Sequence, residues 1–377
     1  MVSPMKNIFS HFYIDPENPL PIYSQLGKQI SWLIINGVLK EGDSLPSIRS
    51  FATNLNIHMH TVRLAYQRLE EDDWIKTYQG VGSIVLPFDP GKKIPKYSNP
   101  TNTIGIVLPD FSEFYAPVLK GLEVGANQLH ALLLTTQTYD DFDLTLKKVI
   151  QLIAKDVDGL IIVSSPNLFL ERFFAPEKIP PVVYVDSPDV GDELNAILLD
   201  SYQAGYQATE HLIKHGHQDI GIVSCLLEWP NVEPCYRGYK DAIRNAGLPI
   251  MEDHLRIVPG FEVNLGYQAA QSFFQGKKRP TAIFAIADIL AIGVMQFLKQ
   301  HGKKIPQDCA VIGYNDIPSA ALIEPALTTV SVPKYELGQK AISVLAQLIQ
   351  KEEVLQKKVI LKTQLVLRES CGCLYTT

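Results

Sequence analysis

A stripe of hydrogen-bond donors lies along one short amphipathic segment near the start of the chain. The donors recur at the spacing of one helical face, at His60, Arg63 and Gln67. The opposite face is apolar and must pack against a core, at Val62, Ala65, Tyr66 and Leu69. Imidazole, guanidinium and amide groups hydrogen-bond base edges and phosphates. The segment therefore predicts a helix that enters the major groove of DNA.

Short elements around this helix predict how it is presented. Pro46 and Ser47 open a preceding helix as cap and first-turn residues, and a tight turn separates the two helices. An earlier amphipathic helix follows the apolar positions Ile22, Leu26, Ile30, Leu33 and Ile34. After the donor-bearing helix come two short strands, at 74–78 and 83–86. Gly80 and Gly82 between them allow the positive φ of a tight turn, which predicts a hairpin wing.

The segment 21–85 resembles the GntR family of bacterial transcription regulators, especially its branch with short effector domains, with every apolar landmark in register. The resemblance implies a winged helix-turn-helix that contacts DNA through Ser47, Arg49, His58, His60, Thr61, Arg63, Gly80 and Gly82. In that family the turn just before the second helix usually carries Arg, Asn or Pro, where this chain has His58-Met59-His60. The resemblance therefore does not predict which operator sequence the chain binds. Two alternatives to DNA contact are open for His58 and His60. They are solvated turn residues, or they bind a metal together, which is the least favoured interpretation because no Cys or third His lies nearby at ligand spacing.

Charge and composition narrow the class of protein. The 377 residues carry a formal net charge of −6, and the acids at 70–73 lie at the far end of the donor-bearing helix. Affinity for DNA is expected to rest on a few placed cations, with a salt slope of ~0.9 per neutralised phosphate. No run approaches ~18 apolar residues, and the first residues lack the apolar run of a secretory signal. We therefore expect a cytoplasmic protein with no membrane partner.

Five cysteines, at 225, 235, 309, 371 and 373, are too scattered and odd in number for a disulfide framework. The sequence Cys371-Gly372-Cys373 has the residue types to bind a metal or to respond to oxidants. Two thiols at a chain end are usually reduced and solvated, so the sequence predicts no metal site and no cofactor.

Changes in composition along the chain predict three parts. Residues 15–86 form the DNA-binding domain, residues 87–102 a proline-rich, extended connector, and residues 103–370 a larger domain. In the larger domain, strands are predicted at 104–108, 132–135, 159–163, 182–185, 220–224, 283–285 and 310–313, and helices at 116–129, 144–154, 202–215, 236–246, 265–274, 289–300 and 335–351. This alternation predicts an α/β fold of two lobes, each with a doubly wound parallel sheet.

An ordered series of motifs makes residues 103–370 resemble the LacI/GalR-type sensor domain, which is periplasmic-binding-protein-like. The motifs lie at 105–110, 158–161, 216–221, 237–239, 280–284, 288–293, 311–316, 327–330 and 367–370. With a GntR-type head, the chain is similar in architecture to the arabinose-responsive repressors. The resemblance implies a domain that binds a small molecule, expected to be a sugar, in the cleft between its lobes and that pairs two chains.

Residues near the ends of the predicted strands match the ligand positions of that family. They are Asp110, Phe114, Tyr115, Asp186, Phe261 and Asp288. Carboxylates accept hydrogen bonds from vicinal hydroxyls, and an aromatic ring packs on the apolar face of a ligand. The alternative roles are a helix cap for Asp288 and core packing for Phe114.

Cys235 stands where the family places a ligand-binding Arg, three residues before Gly238. Arg237 does not replace it, because helical phase turns Arg237 away by about 200°. Two interpretations stay open. Either the effector is not the usual sugar, or Trp229, Asn231 or Glu233 in the preceding segment supplies the contact.

These features predict a bacterial DNA-binding transcription regulator, a dimeric repressor of carbohydrate-metabolism genes whose binding to operator DNA is controlled by a small molecule. The alternative is a constitutive DNA-binding regulator with a non-sugar effector or a vestigial cleft. No catalytic residue is predicted. An aminotransferase-like domain, which also occurs behind GntR-type heads, needs a Schiff-base lysine, and no lysine has a suitable context. A solute-binding transport protein would not carry a DNA-binding head.

Overall fold

The computed structural model describes residues 8–9, 11–14, 21–35, 38–87, 101–164, 170, 179–187, 191–227, 229, 231–276 and 278–373. Residues 88–100 of the predicted connector lie outside this part of the chain. The described residues fall into two compact units. The first takes in Met1–Val107, Leu129–Leu160 and Leu168–Val182, and the second takes in Leu108–Gln128, Ile161–Asn167 and Val183–Thr377. The domain boundaries expected from the sequence remain predictions.

The start of the first unit is a three-helix head with a hairpin. Its elements in order are α1 (Ile22–Ile35), α2 (Ile48–Leu55), α3 (Met59–Glu71) and the antiparallel strands β1 (Ile75–Tyr78) and β2 (Gly82–Val85). The Ser47 hydroxyl caps α2 by accepting the Ser50 N–H at 3.1 Å. Phe51 is fully buried in the head core, with the rings of Phe12 and Tyr66 packed edge-on at 4.8 and 6.0 Å.

One six-stranded sheet is built from β3 (Thr103–Leu108), β4 (Leu132–Gln137), β5 (Gly159–Val163), β6 (Val182–Val185), β7 (Ala196–Leu199) and β13 (Lys358–Leu361). The strand order is β13-β7-β6-β5-β3-β4, and β7 pairs in parallel with both β6 and β13. Helices α4 (Tyr115–Gln128) and α5 (Phe142–Ala154) connect its first strands. The strands β5, β6 and β7 are buried along their whole length, as expected for a sheet covered on both faces.

A second six-stranded sheet is built from β8 (Ile220–Ser224), β9 (Leu255–Ile257), β10 (Ala282–Ala285), β11 (Ala310–Asn315), β12 (Thr328–Ser331) and β14 (Gln364–Val366). Its order is β14-β12-β11-β10-β8-β9, and it is parallel except for β14, which runs antiparallel to β12. Further α-helices in the described part of the chain are α6 (Ser201–Lys214), α7 (Val232–Asn245), α8 (Val263–Gln275), α9 (Asp288–Gln300) and α10 (Lys334–Ile349).

The predicted fold class, an α/β domain behind a winged helix-turn-helix, is confirmed. The strands and helices predicted for the larger domain are present, and their ends differ from the predicted ends by at most four residues. The sequence did not predict β7, β9, β12, β13 and β14, which are three or four residues long. In the described ranges, no helix is both long enough and apolar enough to cross a bilayer.

The expectation that the two C-terminal thiols are solvated is wrong. Cys371 is buried and Cys373 is half-buried. Ser370 explains this placement, because its hydroxyl donates to the Val311 carbonyl at 2.6 Å and accepts the Thr328 N–H at 2.8 Å. These bonds hold the segment around Ser370 beside β11 and β12.

Candidate functional site

The polar face of α3 is presented to solvent as predicted. His60, Arg63 and Gln67 are exposed, while Thr61 is half-buried at the start of the same helix. Gln67 already has a hydrogen-bond partner, because its side-chain amide donates to Glu71 Oε1 at 3.1 Å. The exposed face therefore offers His60 and Arg63 as its available donors toward an approaching surface.

His58 has a defined local role. It is the N-cap residue of α3, and its Nδ1 atom accepts the His60 N–H at 3.2 Å. The ring is exposed, so the capping bond leaves the other ring nitrogen at the surface. Together with the exposed Arg49 in the first turn of α2, these side chains surround the turn between the two helices.

The buried face of α3 fixes its position against α2. Val62, Ala65, Tyr66 and Leu69 are each no more than 4% exposed. The Tyr66 hydroxyl donates to the Pro46 carbonyl at 2.6 Å, which links α3 to the segment that enters α2. Burial raises the pKa of Tyr66, so the hydroxyl keeps the proton for this bond.

The wing turn depends on two glycines. Gly80 and Gly82 have φ values of +78° and +106°, and both are exposed between β1 and β2. The strands below the turn are joined by the Thr77 and Ser83 hydroxyls at 2.9 Å. The Thr77 N–H donates to Glu70 Oε1 at 2.9 Å, so one of the acids at the end of α3 supports the wing.

In the second unit, Asp186 follows the end of β6 and is 7% exposed, with a φ of +53°. Its Oδ2 atom accepts hydrogen bonds from the Ser164 hydroxyl at 3.4 Å and from the Asn231 amide at 3.3 Å. Burial raises the pKa of Asp186 to about 6, and these two bonds oppose the rise. A buried carboxyl group with such a pKa can accept a hydrogen bond from a ligand hydroxyl.

A buried thiol occupies the position at which the resembled sensor family has a ligand-binding Arg. Cys235 is 1% exposed on α7, and burial raises its pKa to about 12, so it is a neutral thiol. Arg237 lies at the surface, 3.7 Å from Glu233, as helical phase predicted. Tyr314 of β11 is buried nearby with its hydroxyl 3.2 Å from that of Ser201, and its pKa is raised by burial and by the charge of Asp186.

An aromatic pair lies beyond the ends of β8 and β9. The rings of Trp229 and Phe261 are 5.4 Å apart with an interplanar angle of 47°. Phe261 is 40% exposed, which is high for a phenylalanine ring in a folded domain. The Cys225 thiol donates to the Gly260 carbonyl at 3.2 Å, which ties the end of β8 to the segment that carries Phe261.

Asp288 belongs to a separate buried network. The carboxylate accepts the Thr329 hydroxyl at 2.5 Å and the Ile317 N–H at 2.8 Å, and the residue is 1% exposed. Ala287 is the N-cap residue of α9, so the Asp288 side chain does not act as the helix cap. Burial raises the pKa of Asp288 to about 7.

The loop after β3 carries the other predicted ligand residues. Asp110 Oδ1 accepts the Ser112 N–H at 2.7 Å, and the half-buried rings of Phe114 and Tyr115 pack edge-on at 4.8 Å. Sequence reasoning missed Glu113 in this loop, whose Oε2 atom accepts both the N–H and the hydroxyl of Ser319 at 3.1 and 2.9 Å.

Some of the predicted ligand residues are therefore in contact with residues that the sequence did not predict as ligand positions. It brings Asp186 together with Ser164 and Asn231, and Phe261 together with Trp229. Ser164 was missed, although it directly follows the predicted strand β5 and so had a positional signal. The DNA and ligand roles of the predicted residues stay predictions.

Comparison with known proteins accounts for both parts of the chain. The model of the gntR family of bacterial regulatory proteins matches residues 22–85, and that of the periplasmic binding protein-like domain matches residues 209–371. Catabolite control protein A of Priestia megaterium is 31% identical over 277 residues, which cover 72% of this chain and 82% of that protein.

Two further matches cover different shares of this chain. The arabinose metabolism transcriptional repressor of Geobacillus stearothermophilus is 28% identical over 365 residues, 94% of this chain and 98% of that protein. A crystal structure of a LacI family transcriptional regulator from Enterococcus faecium with bound ribose has a TM-score of 0.64 at 28% identity, covering 71% of this chain and 98% of that one.

A winged helix-turn-helix followed by a periplasmic-binding-protein-like α/β domain defines a class of transcription regulator. The chain belongs to the bacterial transcription regulators that combine a GntR-type head with a LacI/GalR-type domain. It is a DNA-binding regulator and not an enzyme.

Proposed function

We propose that the chain is a dimeric repressor of carbohydrate-metabolism genes and that a neutral sugar controls its binding to operator DNA. The observation that carries the ligand part is the grouping of polar and aromatic side chains beyond the carboxyl ends of strands in the second unit. Asp186, Ser164 and Asn231 form the polar group, and Trp229 and Phe261 form the aromatic pair. Open α/β sheets bind ligands at this end of their strands.

The chemistry of these residues suits a ligand with several hydroxyl groups. Asp186 accepts hydrogen bonds, Asn231 both donates and accepts, and an exposed aromatic face packs on the C–H face of a sugar ring. The related regulator from Enterococcus faecium was crystallised with ribose, which supports a small sugar. Cys235 removes a cation from this region, so a neutral ligand fits better than a uronic acid or a phosphate ester.

The DNA part of the proposal follows from the head. Two chains that pair through their larger domains would place two α3 helices on a pseudo-palindromic operator. Ligand binding that favours one arrangement of the pair changes operator affinity, by ~1–3 kcal/mol in typical cases. We propose that the ligand relieves repression, and the chain is similar to a relative whose name describes it as a transcriptional repressor of arabinose metabolism. Such a protein acts on the chromosome, in the cytoplasm.

The first experiment measures the thermal unfolding of the purified full chain against pentoses, hexoses, uronic acids, disaccharides and purines. A ligand at about 100 times its dissociation constant stabilises the domain that it binds by ~2.7 kcal/mol, which a thermal shift detects. We expect neutral sugars to produce the shift. Analytical ultracentrifugation of the same sample tests the dimer.

A matched pair of variants tests the aromatic pair. Phe261→Ala should abolish the shift, whereas Tyr139→Ala, which removes a 68% exposed ring from the first unit, should leave it unchanged. Operator DNA selected from a random library should bind both variants equally. If no compound shifts unfolding while the chain still binds DNA, a constitutive regulator with a vestigial cleft replaces the proposal. A shift with purines alone would make the effector a non-sugar.

A further inference from the structure

Two histidines and a cysteine converge where the last described residues meet the end of α6. His211 lies in the last turn of α6 and His215 is the C-cap residue four positions later, and their ring centroids are 4.2 Å apart. The ligand atoms of His211, His215 and Cys373 all lie within 4.8 Å of one another. This grouping joins residues that are far apart in the sequence.

A second thiol lies directly beside this group. The Cys371 and Cys373 sulfur atoms are 2.8 Å apart, and Cys371 is 4% exposed. The Thr328 hydroxyl donates to the Cys371 sulfur at 3.1 Å, which holds this thiol in place. Two imidazoles and one thiol thus form the group, and a second thiol is in contact with the first.

The two imidazoles are oriented for a ligand. His211 Nε2 is buried and has no hydrogen-bond partner, which is costly for a nitrogen enclosed by protein. His215 Nδ1 lies 2.8 Å from the His211 carbonyl, so in the tautomer with a proton on Nδ1 it donates there. That bond leaves the Nε2 lone pair of His215 for a metal, the arrangement that usually orients metal-binding histidines.

We propose that His211, His215 and Cys373 bind a zinc ion, with Cys371 as the adjacent fourth ligand. Zinc favours four tetrahedral ligands of nitrogen and thiolate sulfur, and pairs of Cys and His are a common set. Bonds of about 2.1 Å to nitrogen and 2.3 Å to sulfur place tetrahedral ligand atoms roughly 3.5 Å apart. Each thiol that binds releases its proton to solvent.

The proposed site would tie the end of the chain to α6. The segment up to Ser370 is already held by hydrogen bonds to β11 and β12, and the zinc ion would add a bond from Cys373 to α6. The function proposed above does not require this site, so the two can fail independently.

Metal content and cobalt spectroscopy test the site in the full chain. The protein is purified without a histidine tag, kept reduced with a phosphine, stripped with a chelator, and titrated with Zn²⁺ or Co²⁺. We expect one ion per chain, tetrahedral d–d bands with Co²⁺, and a sulfur-to-cobalt charge-transfer band. Cys373→Ser should remove the charge-transfer band or shift it strongly, and His211→Gln should weaken Zn²⁺ binding by at least about tenfold.

Matched controls are His217→Gln and Cys309→Ala, which remove a histidine and a cysteine that lie outside the group. Both should bind Zn²⁺ like the unchanged chain. A parallel readout does not depend on any variant: Zn²⁺ should protect the half-buried Cys373 from alkylation in the native protein, and a chelator should reverse the protection.

The proposal is overturned if the stripped chain binds no Zn²⁺, or if His211→Gln and Cys373→Ser bind it as the two controls do. It is also overturned if Co²⁺ binds with octahedral spectra and no sulfur band. With Cys371→Ser, a changed sulfur band identifies Cys371 as the fourth ligand. An unchanged band overturns the assignment of Cys371 and places water in the fourth position.

Discussion

At the scale of single residues, Arg63 carries the predicted contact of α3 with a base or phosphate. It is exposed on α3, three residues after His60 on the same face. Arg63→Ala should weaken operator binding by ~1–3 kcal/mol, because a guanidinium contact to a base edge or phosphate has that magnitude. Fluorescence anisotropy with a labelled operator duplex at fixed salt measures the change.

Arg68→Ala is the control for Arg63. Arg68 is also exposed, but it lies in the last turn of α3, beside the acids at its end. Arg68→Ala should change operator affinity only slightly, by the long-range effect of removing one charge, and that effect should decrease as salt is added. Equal losses in the two variants would mean that the start of α3 has no special contact with DNA.

Asp288 makes the stability of the second unit depend on pH. Burial raises its pKa from 3.8 to about 7. Between these values the folded protein keeps a proton that the unfolded chain has released. The contribution of Asp288 to the free energy of unfolding is therefore fully present below pH ~4. It is lost as the pH rises toward 7, by up to ~1.4 kcal/mol per pH unit.

Asp288→Asn isolates this effect. The amide has no titrating proton, and it can still accept the Ile317 N–H and donate to the Thr329 hydroxyl. The free energy of unfolding of the variant minus that of the unchanged chain should increase between pH 4 and 7 and stay level above. Denaturant unfolding at several pH values measures it. A difference that does not vary with pH would show that Asp288 is ionised throughout.

At the scale of elements, helices α6 and α7 cross closely enough to require glycine. A Cβ atom on Gly238 would lie 2.1 Å from the Tyr202 carbonyl oxygen, and one on Gly205 would lie 2.0 Å from the Cys235 carbonyl oxygen. Each helix thus approaches the other through its own glycine. This crossing explains the glycine in the motif at 237–239, where the next residue, Tyr239, donates to the Ile220 carbonyl at 2.7 Å.

Gly238→Ala should destabilise the second unit by ~1–3 kcal/mol, because the added methyl group forces the two helix backbones apart. Gly27→Ala is a matched control in α1, where no heavy atom lies within 4 Å of the new Cβ. That change should stabilise its helix by ~0.5–1 kcal/mol. Thermal unfolding of both variants measures the difference. Similar midpoints for the two variants would mean that the α6–α7 crossing adjusts without cost.

Elements with a clear period or a long apolar run were predictable from the sequence. Strand β5 is a continuous apolar run, and α5 buries Thr145, Val149 and Leu152 at a helical period. β14 has only three residues and β13 only four, so neither shows a period. Both depend on pairing with β12 and β7, which are distant in the sequence. Such strands are defined by their neighbours and not by their own residues.

The candidate ligand site was predictable only in part for the same reason. The position of Asp186 after a strand is visible in the sequence, but its bond to Asn231 joins residues 45 apart. Burial, which raises the pKa of Asp186, is a property of the folded unit. The cluster of His211, His215 and Cys373 was missed because Cys373 returns to α6 only through the placement of the C-terminal segment.

At the scale of the whole molecule, one ion pair in the first unit joins the head to the turn after α5. The Lys28 ammonium of α1 contacts Asp156 Oδ2, and the two side chains are 15% and 29% exposed. Asp156 has a φ of +57°, and its carbonyl accepts the Thr101 hydroxyl at 3.0 Å. One residue therefore contacts both the head and the start of the larger domain.

This pair should influence how the head is held for DNA. Lys28→Ala and Asp156→Ala should each change operator affinity by about fivefold or less, corresponding to ~1 kcal/mol for a partly buried pair. The exchanged pair, Lys28→Asp with Asp156→Lys, should restore most of the loss. The comparison separates two roles of Lys28. If it only contacts DNA phosphate, Asp156→Ala leaves binding unchanged or strengthens it by removing a negative charge, and the exchanged pair restores nothing. If it positions the head, both single variants weaken binding and the effects do not add.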